Sequence, residues 1–195
     1  MRKKESYHHG DLSNALVRVA FERVRCAGVE NFKLREVARD VGVTPGAAYN
    51  HFSDRAQLLA AVALEAQILL AQRTLKATSG LTGLKRLEAI GRAYVKFACE
   101  EPSLFRLVFS GLGVGSLRVS YETADGRTVP SSYEQLRMAA ADIRRDKQKP
   151  VDEDRLALAW SVAHGAASLI GDGVWKKNDR RADAALRLAV EVMST

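Results

Sequence analysis

Cysteine is scarce: Cys26 and Cys99 are the only two in 195 residues. They lie far apart within helical patterns, so a disulfide is not expected, and both read as buried free thiols in a reducing cytosol. Prolines number four and aromatic residues make up 7%. With so few prolines and aromatics, the chain reads as mostly helical. The most apolar stretch, residues 58–71, is interrupted by Glu65 and Gln67, which argues against a membrane span. The N-terminus lacks the apolar core of a signal peptide, so a cytoplasmic location is expected. Missing too are a glycine-rich phosphate loop after a strand, a G-x-S-x-G elbow, a metal-ligand cluster and a Cys/His pair in a catalytic setting. These absences leave no cofactor, no metal and no catalytic residues to assign. Acidic residues are the scarcer charge, 23 against 30 Lys and Arg, for a net charge of +7. The pI of about 9.6 favours a polyanionic partner. A hydrophobic content of 47% suffices for one large domain or two small ones.

The informative stretch is residues 33–55, KLREVARDVGVTPGAAYNHFSDR. Leu34, Val37, Ala38 and Val41 form an apolar stripe at helical spacing, and Arg35, Glu36, Arg39 and Asp40 occupy the other face. Gly42 breaks the pattern where a tight turn needs a residue without a Cβ. Thr44-Pro45 restarts a helix with a hydroxyl at the N-cap and proline at the first helical position. Gly46, Ala47 and Ala48 leave the front of that short helix nearly bare, and Tyr49, Asn50 and His51 supply hydrogen-bonding groups. Two short helices about a glycine turn read as a helix-turn-helix.

The segment resembles the DNA-binding motif of the TetR family of bacterial transcription regulators. Its pattern is roughly L-R-E-[VI]-A-x-x-[AV]-G-V-[ST]-x-[GA]-x-[LI]-Y-x-[HY]-F-x-[DN]-[KR]. Leu34, Arg35, Glu36, Val37, Ala38, Gly42, Val43, Thr44, Gly46, Tyr49, His51, Phe52, Asp54 and Arg55 match it. The resemblance implies an all-α chain: a three-helix DNA-binding domain with a basic arm over residues 1–53, then a helical ligand-binding and dimerisation domain over 54–195, about nine helices in total.

The DNA-binding surface is expected to comprise Lys33, Thr44, Pro45, Gly46, Ala47, Ala48, Tyr49, Asn50, His51 and Arg55. The small residues permit close approach to a groove, and an alanine methyl suits a thymine methyl. Asn50 suits a base edge or a phosphate. Thr44 can donate to phosphate beside the free N–H groups of the helix start. By resemblance, Tyr49, His51 and Arg55 are backbone-phosphate ligands. Tyr49 and Phe52 have a competing reading as core, and His51 as a capping group. Lys33 stands where the family usually has Ser or Thr. Lysine accepts no hydrogen bond, so that cap is lost, with Asn31 a candidate replacement and Lys33 a point charge toward phosphate.

Upstream, Arg2-Lys3-Lys4 form a basic arm, either a solvated tail or a groove contact. The string Tyr7-His8-His9-Gly10-Asp11-Leu12 resembles a helix entry of one TetR branch and suits that role better than a metal site. Leu12, Ala15, Leu16, Val19, Ala20 and Val24 then mark a first helix, closed by Gly28.

Downstream, helices are expected from Asp54 to about Thr78, over 82–100, over the short run Leu104–Phe109, from Ser131 to about Lys147, over 152–172 and over 179–193. Residues 111–130 carry four glycines without clear periodicity and read as an irregular loop, slack or beside a pocket. Trp160, His164 and Gly165 match the W-x-x-x-H-G element of a TetR C-terminal subfamily named WHG. By resemblance, residues 152–193 form the homodimer interface as a four-helix bundle; Gly165, Ala166 and Ser168 allow close approach, and a purely internal core is the alternative. A small-molecule effector is implied, with Tyr94, Phe97, Phe105, Phe109, Met138, Trp160 and His164 as candidate pocket residues.

The function implied is a ligand-responsive regulator, a repressor in most of the family, that binds a palindromic operator in double-stranded DNA as a homodimer. A non-specific architectural DNA binder stays open, distinguished by its specificity ratio at stated salt. A helical enzyme is the remote alternative.

Overall fold

The computed structural model describes residues 9–30, 32–111, 120–146 and 150–194. Their order is α1 (His9–Ala27), α2 (Leu34–Val41), α3 (Pro45–Tyr49), α4 (Arg55–Ala77), α5 (Gly83–Glu100), α6 (Pro102–Val108), β1 (Ser120–Glu122), β2 (Thr128–Pro130), α7 (Ser132–Asp146), α8 (Glu153–Gly171) and α9 (Arg180–Ser194). Among the described residues the fold is all-α apart from one antiparallel hairpin.

Side chains set the helix starts. The Ala47, Gln57 and Arg155 amides donate to Thr44 Oγ1, Asp54 Oδ1 and Asp152 Oδ1 at 3.2, 2.8 and 3.1 Å, each satisfying an otherwise orphaned first-turn donor. The Ser131 hydroxyl accepts from the Glu134 amide at 3.1 Å. Lys33 precedes α2 without a side-chain cap. Asn31, its candidate replacement, lies outside the described residues, as do the 1–8 arm and segment 112–119. Gly42 ends α2 at φ 82°, and its amide donates to the Arg39 carbonyl at 3.0 Å. That left-handed turn swings α3 across α2.

The main core starts with Leu16, Ala20 and Val24 of α1, takes in Val37, Ala38, Ala48 and Phe52, and continues along α4 through Leu58, Leu59, Val62, Ala66 and Leu70 to Tyr94, Phe97 and Leu104. α4 therefore buries its first turns against the helix-turn-helix and its later turns against the second half. Among the described residues, α4 is the one helix long and apolar enough to cross a membrane, with an 18-residue window of mean hydropathy 1.4, but half of that window is buried inside the fold. Leu64 and Leu75, placed by periodicity on its apolar face, are 46% and 42% exposed.

A second core joins Leu87 and Ile90 of α5 with Tyr133, Leu136 and Ala140 of α7, Leu156 of α8 and Met193 of α9. Where an irregular loop was expected, residues 120–130 form the hairpin, with Tyr121 opposite Val129. Both are buried with Ile68 and Ala71 of α4. Three-residue strands are too short to show periodicity, so the hairpin is held by this docking. Of the thiols expected to be buried, Cys26 is exposed and Cys99 half-buried; both are free.

Candidate nucleic-acid interface

α3 owes its position to its neighbours. Ala48 is fully buried in the core and pins the helix by its inner side. Pro45, Gly46, Tyr49 and Asn50 share the opposite arc and are exposed, as is Thr44. Ala47 sits half-buried at the edge of that arc, and His51 is half-buried just beyond it. Tyr49 is 42% exposed, which removes its reading as core, whereas Phe52 is buried as a core residue. Ala48 is a correction to the expected surface: its methyl is sealed in the core and cannot meet a base.

Arg55 has a structural role beside the expected one. Expected as a phosphate ligand, it is exposed at the start of α4, but its guanidinium is engaged. Nε donates to the Phe32 carbonyl at 3.1 Å, and Nη2 donates to the Val29 carbonyl. Its centre lies 5.9 Å from the Phe32 ring. A planar fork suits two convergent carbonyls where a lysine ammonium would not, and the contact ties the α1–α2 loop to α4. Arg23, unassigned from sequence, similarly ties α1 to α2. It donates to Asp40 at 2.6 Å and Glu36 at 2.8 Å, and these two carboxylates hold its pKa above the usual value against partial desolvation. Lys33 is exposed, with Glu36 at 3.8 Å, a separation that leaves its charge available.

The candidate pocket residues divide. Tyr94, Phe105, Phe109, Trp160 and His164 form one aromatic cluster, with ring centroids 4.7 Å apart for Phe109–His164, 4.8 Å for Tyr94–Trp160 and 4.9 Å for Phe105–Phe109. Tyr94 Oη lies 2.9 Å from His164 Nδ1. Burial raises the pKa of the Tyr94 phenol and lowers that of the His164 imidazole, so a neutral phenol faces a neutral ring near pH 7. Tyr133 also belongs, 5.4 Å from Trp160; no short motif marks it. Met138 does not belong, being 41% exposed on α7. Phe97 is core, with the Arg73 guanidinium 5.5 Å from its ring. Next to the cluster, Leu87, Ile90, Tyr94, Leu136, Trp160 and Met193 help line an apolar cavity of about 30 Å³, room for a water or two.

On α8 and α9 the inner faces build the core, and the outer faces carry exposed apolar side chains among charged ones. Leu158 is 46% exposed, Leu188 60% and Val192 38%. Gly165 is half-buried, and a Cβ there would meet nothing within 4 Å. Nothing inside the chain therefore requires glycine at this position. Ala166, expected on the same face, is buried inside.

A short helix anchored by one alanine, exposing a small and polar arc beside a glycine turn, defines a helix-turn-helix DNA-binding protein with a second helical domain attached. The family model for bacterial regulatory proteins of the tetR family matches residues 16–62, and the model for the tetracyclin repressor-like C-terminal domain matches residues 87–193. The chain belongs to the TetR family and is a DNA-binding transcription regulator. A comparison with curated proteins finds no match. Among solved structures, a TetR family transcription regulator from Marinobacter aquaeolei VT8 is 17% identical, with 92% of this chain and 94% of that chain covered and a TM-score of 0.56. A protein of unknown function from Rhodococcus sp. RHA1 is 22% identical, with 98% and 97% covered and a TM-score of 0.65. RolR in complex with resorcinol is 18% identical, with 95% and 94% covered and a TM-score of 0.60. At these identities the structures share the fold.

Proposed function

We propose that the protein is a cytoplasmic, non-catalytic repressor that binds a palindromic operator as a homodimer and is released by a small-molecule effector. Residues 1–53 serve as the DNA-binding domain and 54–195 as the effector and dimerisation domain, the latter of the WHG kind through Trp160, His164 and Gly165. The observation that carries this reading is the exposed arc of α3. Thr44, Pro45, Gly46, Tyr49 and Asn50 face the groove, with Ala47 and His51 flanking them and Lys33 alongside as a point charge. Arg55 acts by fixing the loop that carries Lys33.

One short helix reads few base pairs, so a second copy is needed. The exposed Leu158, Leu188 and Val192 of α8 and α9 suit that copy, with Gly165 admitting the partner helix. The effector enters at the aromatic cluster. The cavity is far smaller than a ligand site of several hundred Å³, so binding requires the rings to move apart. That movement shifts the population between operator-binding and released arrangements. The cluster's apolar rings and neutral Tyr94–His164 pair suit an uncharged aromatic effector with a hydroxyl, a class to which the resorcinol bound to RolR belongs.

Selection from a random duplex library with the purified protein tests the reading. A palindromic consensus is expected, and the Asn50→Ala variant should select an altered one. Recovery of duplexes without a consensus would favour the architectural alternative.

A further inference from the structure

Glu101 stands at the break between α5 and α6, directly before Pro102. Its side chain is 4% exposed and makes no capping hydrogen bond to α6. Instead it gathers two arginines from different helices. Arg25, on the last turn of α1, donates to it twice, Nε to Oε2 at 2.8 Å and Nη2 to Oε1 at 2.9 Å. Arg73, on α4, donates Nη2 to Oε1 at 2.8 Å and also reaches Glu100 at 3.2 Å. Burial alone would raise the Glu101 pKa, but the hydrogen bonds and charges of Arg25 and Arg73 outweigh it and hold the carboxyl ionised. One carboxylate thus ties together the DNA-binding half, the connecting helix and the head of the helix that carries Phe105.

We propose that Glu101 is a positioning residue for DNA binding: its carboxylate latches α1 to the α5–α6 junction and sets the angle at which each recognition helix is presented. The proposal rests on the functional reading above for the duplex it is assayed on and for what opens the latch. Phe105 on α6, and Phe109 just after it, belong to the aromatic cluster, and a seven-residue helix headed by Glu101 moves as one piece when those rings move. Chemistry favours a latch over simple cement. An ion pair with partly exposed arginines adds little net stability, whereas a two-pronged arginine–carboxylate pair fixes direction.

Charge makes the test directional. Removing an anion from a DNA-binding protein should tighten binding to a polyanion, but opening a latch should weaken it. Glu101→Gln and Arg25→Gln are made in the full-length chain and assayed on the selected duplex over a salt series. Amide hydrogen exchange is measured on the free proteins. Both variants are expected to bind roughly tenfold more weakly, a size typical of coupling between sites, with the selected sequence and the salt slope unchanged. Exchange should quicken over residues 20–27 and 101–109 in both. Tighter or unchanged binding by folded Glu101→Gln overturns the proposal. So does a salt slope reduced by about 1 in Arg25→Gln, which would make Arg25 a phosphate ligand. If Glu101→Gln does not fold, Arg25→Gln decides, because that side chain is 43% exposed. If the wild-type protein selects no sequence, the DNA reading fails by itself, and unchanged exchange in the free variants is then what overturns the latch.

Discussion

Single side chains of one type have opposite duties within five residues. Ala47 and Ala48 are adjacent, yet one borders the exposed arc and the other is sealed in the core. A helix turns about 100° per residue, so an alanine pair cannot both face a groove, and the burial of Ala48 decides which does. Tyr49→Ala and Lys33→Ala should weaken binding to all duplexes, with the Lys33 change lowering the salt slope by about 1. Arg55→Ala should instead reduce stability by about 1–2 kcal/mol, through loss of charge-assisted bonds to the Val29 and Phe32 carbonyls, and leave that slope unchanged. Thermal unfolding beside binding titrations separates the two outcomes. At His164 the folded pKa lies below the ordinary value because burial disfavours the imidazolium. Below the unfolded value of about 6.5 the unfolded chain binds the extra proton. Stability should therefore fall as pH drops through that value, and His164→Gln should flatten the fall in urea titrations over that range.

At the scale of elements, helix ends were the most legible part of the chain. Thr44-Pro45, Asp54 and Asp152 announce helix starts by cap chemistry that needs no tertiary partner, and the helices begin there. The motif of residues 33–55 also gave the order of α2, turn and α3. What local pattern could not supply were contacts over long sequence separation. The Arg25–Glu101 pair spans 76 residues, and although Glu101 opens the EPSLFRLVF run that resembles a segment of TetR C-terminal halves, nothing local links it to Arg25. The hairpin escaped because its strands are short and its burial comes from α4. Periodicity identified a helix through Met138 without settling which of its faces meets a pocket. Tyr121→Ala should detach the hairpin from Ile68 and Ala71, at about 3 kcal/mol for a buried aromatic. Amide exchange over residues 120–130 should then quicken far more than over α5.

For the molecule as a whole, the outer faces of α8 and α9 bear on assembly, and Gly165 gives a test in which two effects have opposite signs. Alanine there meets no obstacle within the chain and improves helix propensity by roughly 1 kcal/mol, so the folded protomer should gain stability. If a partner helix packs against Gly165, the same methyl should weaken the dimer, and sedimentation at stepped concentrations reads this directly. Leu188→Glu should yield monomers that have lost operator affinity while keeping their helical content. Dimer formation matters because two copies of α3 must meet successive turns of one duplex face, half-sites ~34–36 Å apart or a multiple of that. Hydroxyl-radical footprinting of the protein on its selected duplex measures that geometry most directly. The account predicts two symmetric protected patches on one face of the helix at that spacing, both lost with Leu188→Glu. A single patch, or continuous protection without symmetry, would contradict it.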